Sequence, residues 1–522
     1  MNILKNKSII NLLIVIAIFY VLLSIYTPIF ETNDDSGMSM IAHGYGLSMH
    51  SSPYIMFSNI VYGYIVTNLP MVNGIYPYSY MTFFALFVVC YSLLMCFDKL
   101  QVNKFYTIVL ICIIFTRAIA MPQFTVNAGL LAIASLIAMI VYANTKVFRY
   151  AILGAVLAFY SYLIRNQEFY FVYIVGLPFL LNKNLLNKNI LYLTLIFICC
   201  CIGAEYLNAI AYHSVEFNNY NALAKVRAQF NDFGASEYFI NRPEILAKYD
   251  YTANDMILLR RFIFADPILA NPTRMAELLS NFKLTSRITD NLPLALQAIK
   301  SIYDDSFKLL IIVAIFGMVF SKSKLRLIAA WIIFVVLIGL VGLLGRPSVL
   351  RVYYPIVVLL TLLPFINCYK NRMILFIGAC FILVLCVLVG RDIYQSNQLR
   401  KTRADLAYSD FNKLGSLLYY VQGASLPYEY IYLPLRANIS SSVKLYAFGS
   451  AYYLPNTVSN EYAFSAQSFG HSFESSLPIN VIMSEQHFDS TEKYCQEHYH
   501  KHLNYLSTQQ LNTFTIYQIV CK

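Results

Sequence analysis

Residues 8–40 read SIINLLIVIAIFYVLLSIYTPIFETNDDSGMSM, and the junction inside this stretch decides how the whole chain is read. Ile9 to Phe30 is an apolar run of the length that crosses a bilayer, about 20 residues. It is too long for a signal-peptide core and lacks a small-x-small cleavage site, so a retained first span is expected. Directly beyond it stand Asn33, Asp34 and Asp35, followed by Met38, Ile41 and Tyr45 at helical spacing. That pattern predicts an N-cap and a short amphipathic surface helix with its acids at the positive end.

Working outward, the 522 residues are 58% hydrophobic and only 12% charged. A soluble domain carries about 25% charged residues, so an α-helical polytopic membrane protein is expected. Eleven candidate spans follow from the apolar runs: 8–30, 80–97, 105–121, 127–143, 150–164, 169–181, 190–211, 307–320, 327–345, 352–368 and 373–390. With the N-terminus inside, the inner connectors hold thirteen basic residues (Lys5, Lys7, Lys99, Lys104, Lys146, Arg149, Lys183, Lys188, Lys322, Lys324, Arg326, Lys370 and Arg372) against one acid, Asp98. One orientation therefore satisfies the positive-inside rule along the whole chain. These connectors account for the net charge of +11, so the basic balance reflects topology and gives no reason to expect nucleic acid.

The opposite face receives residues 31–79, 212–306 and 391–522, more than half of the chain. So much one-sided mass suits an enzyme working at the outer surface better than a channel or carrier. The first segment adds an aromatic stretch, 54–69, expected to lie along the interface. The second shows helical periodicity in Asn221–Phe230, Asp255–Phe264 and Arg274–Leu284. The division expected is a membrane domain over 1–390, with outer loops 31–79 and 212–306, and a small C-terminal α/β domain over 391–522. In that domain Ala404–Tyr420 and Thr491–Leu503 read as helices, and Tyr428–Leu433, Ile479–Met483 and Phe514–Val520 as strands. Cys495 and Cys521 are the only two of the eleven cysteines placed in the outer compartment, where a disulfide can form.

Adjacent carboxylates repel, so one of Asp34 and Asp35 is expected to have a raised pKa and to serve as a proton acceptor. Asp35 is the first choice and Asp34 the second. The pair is equally suited to holding a divalent cation, Mg or Mn, against a phosphate, and an ordinary helix start would look the same. Arg117, Arg165, Arg346 and Arg351 sit at outer ends of spans, against the charge rule. Arginine at that depth needs a partner, and a lipid phosphate or a local acid such as Glu168 would supply one. His43, Arg260 and Arg261 are further candidates for substrate contact, each also readable as a surface residue. No P-loop, Rossmann fingerprint, G-x-S-x-G or zinc spacing is present.

An acidic pair just after the first span, opening a surface helix as Asn33-Asp34-Asp35 with Met38, resembles the GT-C-fold integral membrane glycosyltransferases. That resemblance implies a GT-C-like fold and Asp34 or Asp35 as base or metal ligand. It also implies a polyprenyl-phosphate-linked sugar donor, with an envelope glycan such as lipopolysaccharide or O-antigen as acceptor. A composition rich in Ile, Asn, Lys and Tyr fits a bacterial inner membrane, multi-pass, with the N-terminus inside and the C-terminus outside. The alternatives are an O-antigen polymerase and, from another class, a lipid-linked glycan flippase or transporter.

Overall fold

Long apolar stretches with few breakers become helices here. The computed structural model describes residues 7–282, 291–347, 349–367, 372–437 and 442–522. Lys5, Lys283, Leu284, Cys368 and Lys370 lie outside the described residues. The chain is mostly helical, with α1 (Lys7–Ile25), α2 (Asn33–His43), α3 (Ile60–Asn68), α4 (Pro77–Lys99), α5 (Lys104–Ala120), α6 (Phe124–Thr145), α7 (Phe148–Leu180) and α8 (Lys188–Ala211) in its first part. Among the described residues seven helices are long and apolar enough to cross a membrane: α1, α4, α6, α8, Lys324–Leu343, Leu350–Asn367 and Cys380–Phe411. α6 is buried almost throughout and forms the centre, whereas α8 buries only Ile190 and Ala204 and forms an edge.

The first span is shorter than its apolar run. α1 ends at Ile25, because Pro28 disfavours helix in the residue before it. Residues 26–32 lie outside any helix, and the Ile29 N–H donates to the Ala120 carbonyl at the end of α5. At the other end of α1, Asn11 and Lys104 both reach Asp98, with Lys104 Nζ 2.8 Å from the carboxylate.

The fifth and sixth expected spans are two arms of one element. α7 breaks at Arg165, whose backbone is extended (φ −161°, ψ 103°). At about 1.5 Å per residue, a straight helix would hold Gly154 and Tyr173 roughly 28 Å apart. Yet Ser135 Oγ donates to the Gly154 carbonyl at 2.6 Å and lies 2.5 Å from the Tyr173 hydroxyl. The helix therefore folds back on itself, with Arg165 at the tip. The bend frees two carbonyls: Leu163 accepts from the Asn59 N–H and Ile164 from Ser58 Oγ.

The last long helix, Arg372–Phe411, does not stop where its apolar run stops. At 40 residues it is about 60 Å long, roughly twice the hydrocarbon thickness, so it joins the bundle directly to the C-terminal domain. Ala404, Ala407 and Phe411 on its far end pack under the sheet. The expected helix over 404–420 is thus divided: helix to Phe411, then strand β1 (Leu418–Val421). The expected strand over 428–433 is instead one turn of helix, Tyr428–Ile431, set by Pro427 at its start. β2 (Lys444–Ala447), β3 (Ile479–Ile482), β4 (Leu503–Gln510) and β5 (Thr515–Cys521) complete a sheet in the order β2-β1-β3-β5-β4. β2, β1 and β3 are parallel; β5 and β4 add on antiparallel.

Cys495, on helix Phe488–Tyr499, and Cys521, ending β5, form a disulfide. Closing a loop with a sequence separation of 26 removes unfolded-state entropy worth about 3 kcal/mol. Replacing both cysteines by serine should lower the unfolding free energy of the C-terminal domain by that amount, read by denaturant titration. Thiol labelling of the unreduced protein should leave both positions unmodified.

Candidate active site

α2 begins at Asn33 because Thr32 is extended and the next residues favour a helix start. It ends at Gly44, whose φ of 71° needs the freedom of glycine. The expected N-cap at Asn33 is displaced by one residue, to Thr32. The chain after α2 is sewn to the C-terminal domain. The Leu445 N–H donates to the Gly46 carbonyl, Val458 N–H to Leu47 and Met49 N–H to Asn456. Met40, Tyr45 and Leu47 share a buried cluster with Tyr432 and Leu445. The second outer segment is joined similarly, Phe264 N–H donating to the Phe448 carbonyl.

These attachments bring three distant segments to one cavity of about 260 Å³ beside the start of α2. Asn33, Asp34 and Gly37 form one wall and Met56 and Phe57 another. Phe262 comes from the second segment, and Gly423, Gly449 and Ser450 stand just past the ends of β1 and β2. The carboxyl ends of parallel strands are where open α/β sheets bind ligands.

The two aspartates face different surroundings. Asp34 lines the cavity, its side chain about a quarter exposed, and Oδ2 accepts from Arg351 at 2.6 Å. Asp35 is fully buried behind it. Its Oδ1 accepts from the Tyr78 hydroxyl at 2.9 Å and from the N–H of Phe124, the first residue of α6, at 3.0 Å, while Oδ2 has no hydrogen-bond partner among the described residues. Burial pushes the Asp35 carboxyl well above the usual range; the Tyr78 hydrogen bond works against this and the neighbouring Asp34 charge adds to it.

Three of the four arginines gather here. Arg165 stacks on Phe124 and Phe57 and stands 3.6 Å from Glu168, too far for a hydrogen bond, so its Nε is left without an acceptor. Arg346 pairs with Asp232 at 3.0 Å. The charges of Arg351, Asp34 and Arg346 all act on Arg165. Arg117 is placed apart, paired with Glu31 at 2.9 Å and lying over Tyr354.

The remaining candidates are occupied structurally. His43 stacks on Tyr76 and accepts the Tyr78 N–H at Nε2; burial pushes its pKa down to about 4, so it is neutral. Arg260 pairs with Glu237 at 3.3 Å and Arg261 reaches Gln486 and Ser490 of the C-terminal domain. Asp266, close to them in sequence, is buried against Tyr499. For a metal, Asp34 and Asp35 find no third His, Cys, Asp or Glu ligand among the described residues, and Arg351 already supplies the positive charge.

The one group of that kind lies elsewhere: Asp255, Glu497 and His498, their atoms within 4.8 Å of one another. Asp255 forms a capping box with Thr252 and accepts from His498 Nε2 at 2.9 Å, pinning helix Ala253–Arg260 to the C-terminal domain. Burial disfavours protonated His498, but the hydrogen bond and charge of Asp255, with Glu497 and Asp266, outweigh it and raise the pKa. A folded value above the unfolded value of about 6.5 stabilises fully below that pH, and the contribution is lost as pH rises through the folded value. The thermal midpoint should therefore fall as pH rises above about 6.5, and His498→Gln should flatten that fall.

Tyr78, the loop 56–59 and the glycines at 423 and 449 carried no sequence signal. Only proximity in the fold reveals them. Comparison with protein-family models, with curated proteins and with solved structures finds no match for this chain.

Proposed function

We propose that the protein is an inverting glycosyltransferase of the GT-C type, in a bacterial inner membrane. It would move a sugar from a polyprenyl-phosphate carrier to an envelope glycan, lipopolysaccharide or O-antigen, on the outer face. The observation that carries this reading is Asp34, which lines a cavity shared with the C-terminal domain and is paired there with Arg351 at one end of an apolar helix bundle. Eleven crossings follow if α5, both arms of α7 and Asp305–Phe320 are added to the seven longer helices, with the N-terminus inside and the C-terminus outside. The Cys495–Cys521 disulfide fits an oxidising outer compartment.

Asp34 is the base in this proposal, in preference to Asp35, because it alone of the two reaches the cavity. The acceptor hydroxyl gives its proton to Asp34 as its oxygen bonds to the anomeric carbon. The bond from that carbon to the phosphate oxygen breaks, and polyprenyl phosphate leaves with the electron pair. Arg351, drawn from Asp34 as the carboxylate is neutralised, and Arg165 stabilise the charge that develops on the phosphate. Burial raises the Asp35 pKa, which leaves Asp34 the more readily ionised of the pair.

Two measurements test this. Reporter fusions after Arg372 and after Lys522 should report cytoplasmic and exoplasmic sides respectively; the same side for both would refute the topology. Purified protein given radiolabelled sugar on polyprenyl phosphate should label envelope glycan, and the same sugar on a nucleotide should not. The reverse preference would refute the donor class.

A further inference from the structure

Two more cavities lead away from Asp34, and each shares wall residues with the next. Met56 and Phe57 line the Asp34 cavity and also a second one of about 370 Å³. That second space is amide-rich, with Asn59, Asn166, Gln167, Asn208 and Asn221 on its walls. Tyr162 and Glu205 then line both it and a third, of about 570 Å³. The third is apolar, built from Phe169, Tyr170, Phe197, Ile198, Ile202 and Tyr206, between the returning arm of α7 and α8.

The series has the polarity of an amphipathic molecule. α8 is the barely buried edge helix, so the apolar crevice opens sideways where Ile196, Ile202 and Tyr206 are exposed. Amides and a carboxylate suit the hydroxyls of a head group, and the Asp34 cavity is where its reactive end would stop. The boundaries are single contacts. Tyr162 donates to Glu205 at 2.8 Å. Met56 and Phe57 both hold left-handed backbone (φ 51° and 30°), a strained conformation that clusters at ligand clamps.

We propose that the crevice between the α7 return arm and α8 holds the isoprenoid chain of a polyprenyl phosphate. The head group would pass the Tyr162–Glu205 pair into the amide-lined cavity and then Phe57 to Asp34. The identity of the occupant rests on the donor class proposed above; the path rests on the three adjoining cavities.

The test uses the full chain in nanodiscs of phosphatidylethanolamine and phosphatidylglycerol. The probe is a polyprenyl phosphate bearing a benzophenone at the far end of its chain. After irradiation, mass spectrometry should find adducts within 162–173 and 195–206, and excess undecaprenyl phosphate should suppress them while phosphatidic acid does not. Filling the crevice with Ile198→Trp and Ile202→Trp should cut labelling about tenfold or more, the fall that losing roughly two buried methylenes brings. Should those variants fail to fold, competition on the natural chain decides alone. Adducts elsewhere, or equal competition by phosphatidic acid (which would mark an ordinary lipid site), would overturn the path. Crevice labelling without any glycosyl transfer would support the path and sink the transferase, whereas transfer with labelling elsewhere would do the opposite.

Discussion

Asp34→Asn should lower glycosyl transfer by about 10²–10⁴-fold, the usual worth of a positioned acid–base group, with expression and thermal midpoint near those of the natural chain. Asparagine keeps the shape and can still accept from Arg351, which Asp34 meets at 2.6 Å, but it cannot take the acceptor proton. Asp35→Asn should act quite differently. Its Oδ1 would still accept from Tyr78 and Phe124, and it does not reach the cavity, so transfer should fall by less than about tenfold. The natural chain and both variants are assayed side by side for initial rates. Equal losses at both positions would mean that the pair acts as one unit.

The second large effect is on stability. Glu168 has a side chain only 2% exposed, and Arg165 is its ion-pair partner. Removing one member of a buried pair leaves the other charge uncompensated, at a cost of about 3–5 kcal/mol. Burial already raises the Glu168 pKa to about 8, so without Arg165 this carboxyl takes up a proton instead of standing charged, and Arg165→Ala should destabilise the detergent-solubilised protein by less than that, about 1–3 kcal/mol, the cost of an unsatisfied buried polar group. Adding Glu168→Gln removes the carboxyl that must take up a proton and should recover part of the loss without restoring the proposed phosphate contact. Stability regained with transfer still impaired separates the two roles of Arg165. An Arg165→Ala protein that melts like the natural chain would show that the pair is not what holds the hairpin tip.

The membrane helices were legible because their physics is one-dimensional: apolar length sets each element, whatever it packs against. Both arms of α7 could be found from hydropathy, and Arg165 between them, yet the extended backbone at Arg165 could not, since Ser58 and Asn59 come from another segment to satisfy the carbonyls it frees. In the C-terminal domain β3 and β5 showed their β-branched pattern, whereas β2 (KLYA), as short as β3, holds no β-branched residue. Arg372–Phe411 was cut too early because its sequence turns polar while its helix continues. At the site, position relative to the first span singled out Asp34 and Asp35 but ranked Asp35 first, the reverse of the order in which they reach the cavity. Burial orders them, and burial depends on Tyr78 and on the start of α6, which are far away in sequence. Arg117 looked like its three counterparts until Glu31 was seen beside it.

The most direct measurement follows both halves of the donor at once. Purified full-length protein receives a polyprenyl-phosphate sugar labelled with tritium in the isoprenoid and carbon-14 in the sugar, together with deacylated envelope glycan and no nucleotide. The expected result is one polyprenyl phosphate released for each sugar joined to glycan, with inverted anomeric configuration, and both products formed about 10²–10⁴-fold more slowly by Asp34→Asn. Donor left intact with every envelope glycan offered, or full turnover by Asp34→Asn, would contradict the assignment of this cavity as a glycosyltransferase site.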